Sequence, residues 1–137
     1  MDKYWVPNTM VMENVLEGLT ERTPVNSTQP GRGIIEIENK IFGMPSDIDD
    51  NGTVEFLLTD IKDGWDNEGG FVGGFFYPRD QQISSQGSNK ADIMYIDTYP
   101  GIYRSDGETE IFEFFSALGT VAHEYQHLLQ YNNDQQE

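Results

Sequence analysis

An α+β fold is what this sequence predicts, on three observations. One long amphipathic helix is legible toward the carboxyl end, three short apolar runs read as strands, and turns rich in glycine, proline and aspartate separate them. With 137 residues the chain is about one domain long, enough to bury a core of its own.

From Thr9 to Leu19 the apolar residues Met10, Val11, Val15, Leu16 and Leu19 recur near helical spacing, with Asn8 or Thr9 available as a cap, so a short amphipathic helix is expected. Residues 20–33 hold Pro24, Asn26, Ser27, Pro30, Gly31 and Gly33 and must be a loop. Ile34 to Phe42 is ambiguous. Ile34, Ile35, Ile37 and Ile41 fit a helix face loosely while their β-branching favours a strand, and helix is the slightly preferred reading.

After the turn-rich Gly43 to Gly52, the run Thr53 to Thr59 is short, apolar and bounded by turn signals, which is the pattern of a buried strand. Phe71 to Tyr77 and Ala91 to Asp97 read as two more. Gly69, Gly70, Gly73 and Gly74 surround or interrupt the first of these. That marks an edge strand or a place where another backbone approaches closely, the plainer alternative being a twisted edge with bulges. The aromatics Trp65, Tyr103, Tyr131, Phe112, Phe114 and Phe115 are assigned to the core or to cleft walls. There is no internal repeat and no linker long enough to divide the chain.

Residues 109–131 carry the clearest period. Ile111, Phe115, Leu118, Ala122, Tyr125 and Leu129 step by four and three, drawing one apolar stripe down a continuous helix whose face should pack on the sheet.

On that helix stands His123-Glu124-Tyr125-Gln126-His127. At about 100° per residue, both histidines lie roughly 140° from the stripe, one turn apart on the uncovered face. That spacing lets two imidazoles reach one tetrahedral Zn²⁺ at about 2.0–2.1 Å. Glu124 points elsewhere around the helix and need not bind the metal. It can instead act as general base toward a metal-bound water, passing the proton on to the leaving amine. The chain has only two histidines, and a chance HExxH in so short a sequence arises on the order of a few times per thousand.

Composition excludes other classes. Acidic residues outnumber basic ones 24 to 8, for a formal net charge of −16, so nucleic acid and anionic membrane surfaces would be repelled. Solubility and affinity for divalent cations both remain as explanations of the acidity. The absence of cysteine removes disulfides and thiolate ligands. No apolar run approaches the roughly 20 residues of a membrane span, and no signal pattern follows Met1. The protein is therefore expected either to stay inside the cell or to be a piece of a longer secreted precursor.

The run Thr120 to Tyr131, built on HEYQH, resembles the active-site helix of bacterial hyicolysin-type neutral zinc metallopeptidases. The segments Phe42 to Gly52 and Thr59 to Gly64 are similar to that group as well. The resemblance covers about residues 40–131 and is strongest at the HEYQH helix. It implies a zincin-like amino-terminal subdomain, a mixed twisted sheet with one antiparallel edge strand above a long HExxH helix, with substrate bound in extended form. It also implies a secreted zinc endopeptidase acting on peptide or protein substrates.

The longer metzincin pattern HExxHxxGxxH is not present, because Gln130 and Asn133 stand where its glycine and third histidine would be. In the resembling group the third ligand is a glutamate on a following helix. Asp134 and Glu137 are the only carboxylates after the motif, and neither is positioned to serve. Residues 1–137 are accordingly read as the amino-terminal part of a catalytic domain, truncated before the third zinc ligand, binding zinc weakly and inactive alone.

Asp47, Asp49 and Asn51, followed by Gly52, match the first half of a calcium loop, with oxygen ligands at alternate positions and glycine at the sharp turn. The twelfth position is Leu58, so this is no EF-hand. The alternative to a peptidase is an acidic cation-binding or interaction module with a non-catalytic HExxH remnant. Sequence beyond residue 137 discriminates the two. Oligomeric state and substrate preference are not encoded in any motif here.

Overall fold

The structure, a computed structural model, describes residues 7–66, 68–105 and 109–134. In chain order these form α1 (Thr9–Thr20), α2 (Ile34–Phe42), β1 (Glu55–Thr59), β2 (Gly74–Phe76), a 3₁₀ turn (Pro78–Gln81), β3 (Ile93–Asp97), β4 (Tyr103–Ser105), β5 (Glu110–Phe112) and α3 (Phe114–Asp134). The fold is α+β, as expected.

The main sheet is mixed, in the order β1-β3-β2. β1 runs parallel to β3, pairing Glu55 with Ile93 and Thr59 with Asp97, while β2 is antiparallel, pairing Gly74 with Ile96 and Phe76 with Met94. β3 is central and accordingly almost continuously buried. The glycine-flanked β2 lies at an edge, and a separate ribbon joins β4 to β5.

Because side chains alternate along a strand, Phe56, Leu58, Phe76, Met94 and Ile96 share one face of the sheet. That face meets α3, with α1 and α2 alongside, in a single core that includes Val11, Val15, Leu19, Met94, Ile96, Val121, Tyr125 and Leu128. Asn8 caps α1 by accepting a hydrogen bond from the Val11 N–H at 3.0 Å. The ambiguous isoleucine run is helix α2, closed by Gly43 at φ 93°.

The long helix corrects the sequence reading at its start. Residues 110–112 are strand, not helix, and α3 begins at Phe114. Ile111 and Phe115, two members of the expected stripe, are 44% and 69% exposed. The buried face runs instead through Ala117, Leu118, Val121, Tyr125, Leu128 and Leu129, rotated by about 60° from the expected stripe. Ala122 is only half-buried. The helix is continuous from 114 to 134, with no break at Gly119.

Candidate metal and catalytic site

Rotation of the stripe changes what surrounds the motif. His123 and His127 stay on the exposed side of α3, but Glu124 comes to the border of the buried face and is only 7% exposed. Its Oε2 accepts a hydrogen bond from the Phe76 N–H at 3.0 Å. The carboxylate is thus held against the edge strand while the two rings remain in the cleft.

The ring nitrogens converge. His123 Nε2 and His127 Nε2 are 3.0 Å apart, and the rings meet edge-on at 88°. Two nitrogens each about 2.05 Å from one tetrahedral zinc would stand about 3.3 Å apart. A few tenths of an ångström of side-chain movement therefore lets both rings share an ion, and the donor set fits zinc. Among the described residues, no third histidine or carboxylate groups with them.

The cleft beside them, a cavity of about 400 Å³, is lined by Gly73, Gly74, Ser116, Thr120, His123 and Glu124. Its wall depends on Gly74. A β-carbon there would lie 2.8 Å from the Tyr95 carbonyl oxygen, 2.9 Å from Thr120 Cγ2 and 3.2 Å from Glu124 Cγ. The glycine lets α3 pass directly under the edge strand. Of the two explanations for the glycine cluster, close approach applies at Gly74: the approaching backbone is the Tyr95 carbonyl of β3, and the Thr120 and Glu124 side chains of the motif-bearing helix press in beside it.

The free rim of β2 is defined by its hydrogen bonding. The Asp97 N–H donates to the Gly73 carbonyl at 2.8 Å, so in the antiparallel ladder Gly73 and Phe75 face β3 while Gly74 and Phe76 face outward. The approach to the strand is shaped by Asp63, whose carboxylate accepts the N–H groups of Trp65 at 2.9 Å and Val72 at 2.6 Å. Those two bonds hold its carboxyl below the ordinary carboxylate range. Trp65 then packs edge-on against Phe71 and Tyr99.

Tyr125, between the histidines, is buried and donates to Asn39 Oδ1 at 2.6 Å. Burial pushes its hydroxyl up to about 12, so it stays a neutral donor. This bond and the one from Asn133 Nδ2 to the Phe42 carbonyl at 2.7 Å fasten α3 to α2 and fix the rotation of the motif.

The second candidate site is assembled differently from its sequence pattern. Ligand oxygens of Asp47, Asp49 and Asp92 lie within 4.8 Å of one another. Asn51 is turned to other work: its Oδ1 accepts from the N–H and hydroxyl of Thr53, and its Nδ2 donates to Asp49 at 2.7 Å. Asp92, fully buried at the head of β3, accepts the Ile48 N–H at 2.8 Å and is also bonded by Gln81. Burial raises its pKa, the Ile48 and Gln81 bonds oppose that, and the charges of Asp49 and Asp47 add to it. Nothing in the local sequence joins Asp92 to the 47–52 turn. Parallel pairing of β1 with β3 does.

No protein-family model matches the chain. Over 104 residues it is 40% identical to "Neutral metalloprotease ShpI" of Staphylococcus hyicus, an alignment covering 71% of this chain and 23% of that protein. The chain thus spans about a quarter of the length of the curated relative it matches. Among the described residues, no helix is long and apolar enough to cross a membrane.

Proposed function

We propose that the chain supplies two zinc ligands and the general base of a zinc-dependent endopeptidase, as the amino-terminal part of its catalytic domain, with a third zinc ligand from outside the described residues. The observation that carries this reading is the convergence of His123 and His127 at 3.0 Å beside a carboxylate fastened to the rim of an edge strand. Similarity to a neutral metalloprotease supports it independently.

Zinc held by His123 and His127 would supply Lewis acidity toward a scissile carbonyl and lower the pKa of the attacking water toward about 7. Glu124 takes the proton from that water and delivers it to the leaving amine. The outward N–H and C=O of Gly74, with the C=O of Phe76, offer main-chain partners to a substrate lying extended along β2. The reading extends to a secreted bacterial enzyme acting on peptides or proteins, for which activity in the culture medium is the check.

The test is made in the full-length protein. His123→Ala is expected to abolish both zinc retention and peptide hydrolysis. Glu124→Gln should keep the zinc while hydrolysis falls by at least about a hundredfold, the scale of a lost general base. Full activity of Glu124→Gln against casein would overturn the mechanism.

The cluster of Asp47, Asp49 and Asp92 supports calcium as a second ion. Three carboxylates on two elements suit a hard cation, and the bound ion would tie the 47–52 turn to β3. Calcium should raise the melting temperature of the wild type and not of Asp92→Asn. An equal rise in both would remove the proposal.

A further inference from the structure

The main sheet has a second open edge, on β1. The Glu55 N–H donates to the Asp92 carbonyl at 2.7 Å and the Thr98 N–H to the Thr59 carbonyl at 3.0 Å. A parallel ladder engages every second residue of a strand, so the N–H and C=O groups of Phe56 and Leu58 point away from β3. Among the described residues they meet no backbone partner.

Beside this edge runs a trough of about 470 Å³ between β1 and α1, lined by Met12, Val15, Leu16, Leu19, Phe56 and Leu58. Met12 and Leu16 are 55% and 58% exposed. An unpaired strand flanked by open apolar surface is a template for another strand. Its surroundings are acidic: Glu13 lines the trough and Glu55 is exposed on β1 itself, while Glu17, one turn along α1, is paired with Arg22 at 2.7 Å.

We propose that β1 and this trough take up an extended segment of a partner protein, apolar at alternate positions and basic between them, as a further strand of the sheet. The alternation follows from register. Phe56 and Leu58 turn their side chains to the trough, so every second residue of the added strand drops between them and Met12 and Leu16. Intervening residues lie on the outer face beside Glu55, where a lysine or arginine is favoured. Charge argues against a second copy of this chain, which would bring another −16 to the same acidic rim.

The experiment uses the 137-residue chain and a labelled, end-blocked peptide alternating valine with lysine. Saturable binding by fluorescence anisotropy is expected, weakening as salt is raised. The amides of Phe56 and Leu58 should gain at least about tenfold protection from hydrogen exchange, while Leu57, already bonded to β3, should not change. A peptide alternating valine with glutamate should bind at least about tenfold more weakly, and Leu16→Ser, an exposed and uncharged substitution on α1, should weaken the lysine peptide by a similar factor. Absence of binding, equal binding of the acidic peptide, or binding without protection of Phe56 and Leu58 would overturn the proposal, as would dimerisation through β1.

Discussion

The backbone N–H of Phe76 donates to Oε2 of Glu124 at 3.0 Å, tying the outer rim of the edge strand to the carboxylate between the two histidines. Phe76 and Gly74 are the β2 residues whose backbone groups face outward. The bond therefore occupies one donor that an added strand would otherwise use and leaves the groups of Gly74 open. A chain lying along β2 meets the carboxylate at a register fixed by this contact.

Gly74 controls that contact, which makes it the sharpest structural test of the site. Gly74→Ala places a methyl group 2.8 Å from the Tyr95 carbonyl oxygen and 2.9 Å from Thr120 Cγ2, and neither a backbone oxygen in a ladder nor a β-branched helical side chain moves freely. The expected loss is about 1–3 kcal/mol, read by urea denaturation, with faster exchange of the Phe76 amide as strand and helix separate. An unchanged midpoint and unchanged exchange would show that α3 does not press on β2.

Zinc affinity follows from counting donors. The 137-residue chain should bind zinc through His123 and His127 far more weakly than a three-ligand site, and His127→Ala should remove the site-specific signal in a competition titration. Nanomolar affinity would mean that a third ligand from this chain or from a second copy completes the site.

The histidines were legible from sequence because their requirement is local: four residues on a helix bring two side chains together whatever the rest of the fold does. The edge position of β2 was legible from its glycines. The start of α3 was not. Ile111 and Phe115 continue the period of Leu118 and Leu129, yet Ile111 belongs to β5, paired with Arg104. A period of four is satisfied by any correctly spaced apolar residue, and only tertiary pairing decides which of them are inside. Asp92 was missed for a deeper reason, because its proximity to Asp47 and Asp49 arises from a parallel strand pairing that leaves no mark on either segment.

Gly119 is the helix position with the most to gain. A β-carbon there meets nothing within 4 Å, so Gly119→Ala should stabilise the fold by up to about 1 kcal/mol through helix propensity alone. The gain is read as a raised melting temperature. A loss would mean that the backbone at this cleft position is not held helical.

Tyr125→Phe tests the fastening of α3 to α2. The substitution keeps the buried ring and removes the donor to Asn39 Oδ1, leaving that acceptor without its protein partner at a cost of about 1–3 kcal/mol. Tyr125→Phe combined with Asn39→Leu should recover part of the loss. Two fully additive losses would show that the pair is not coupled.

On α2, Glu38 has its Oε2 buried with no hydrogen-bond partner among the described residues. Burial raises its pKa from 4.5 to about 7, and the sign of the consequence follows from proton counting. Between those two values the folded chain holds a proton that the unfolded chain has released, so stability falls as pH rises through this window and is level on either side of it. Asp92 and Asp97 are also raised by burial, and Asp63 is lowered by the Val72 and Trp65 N–H bonds, so the wild-type curve sums all of these groups, and a difference measurement is needed to isolate Glu38. Glu38→Gln removes the ionisation while keeping the shape of the neutral acid. Urea midpoints of the variant and the wild type, with divalent cations chelated, should be similar near pH 4.5 and separate by pH 8, the variant being the more stable. A gap of constant size across that range would place the Glu38 carboxylate in water and remove the burial argument.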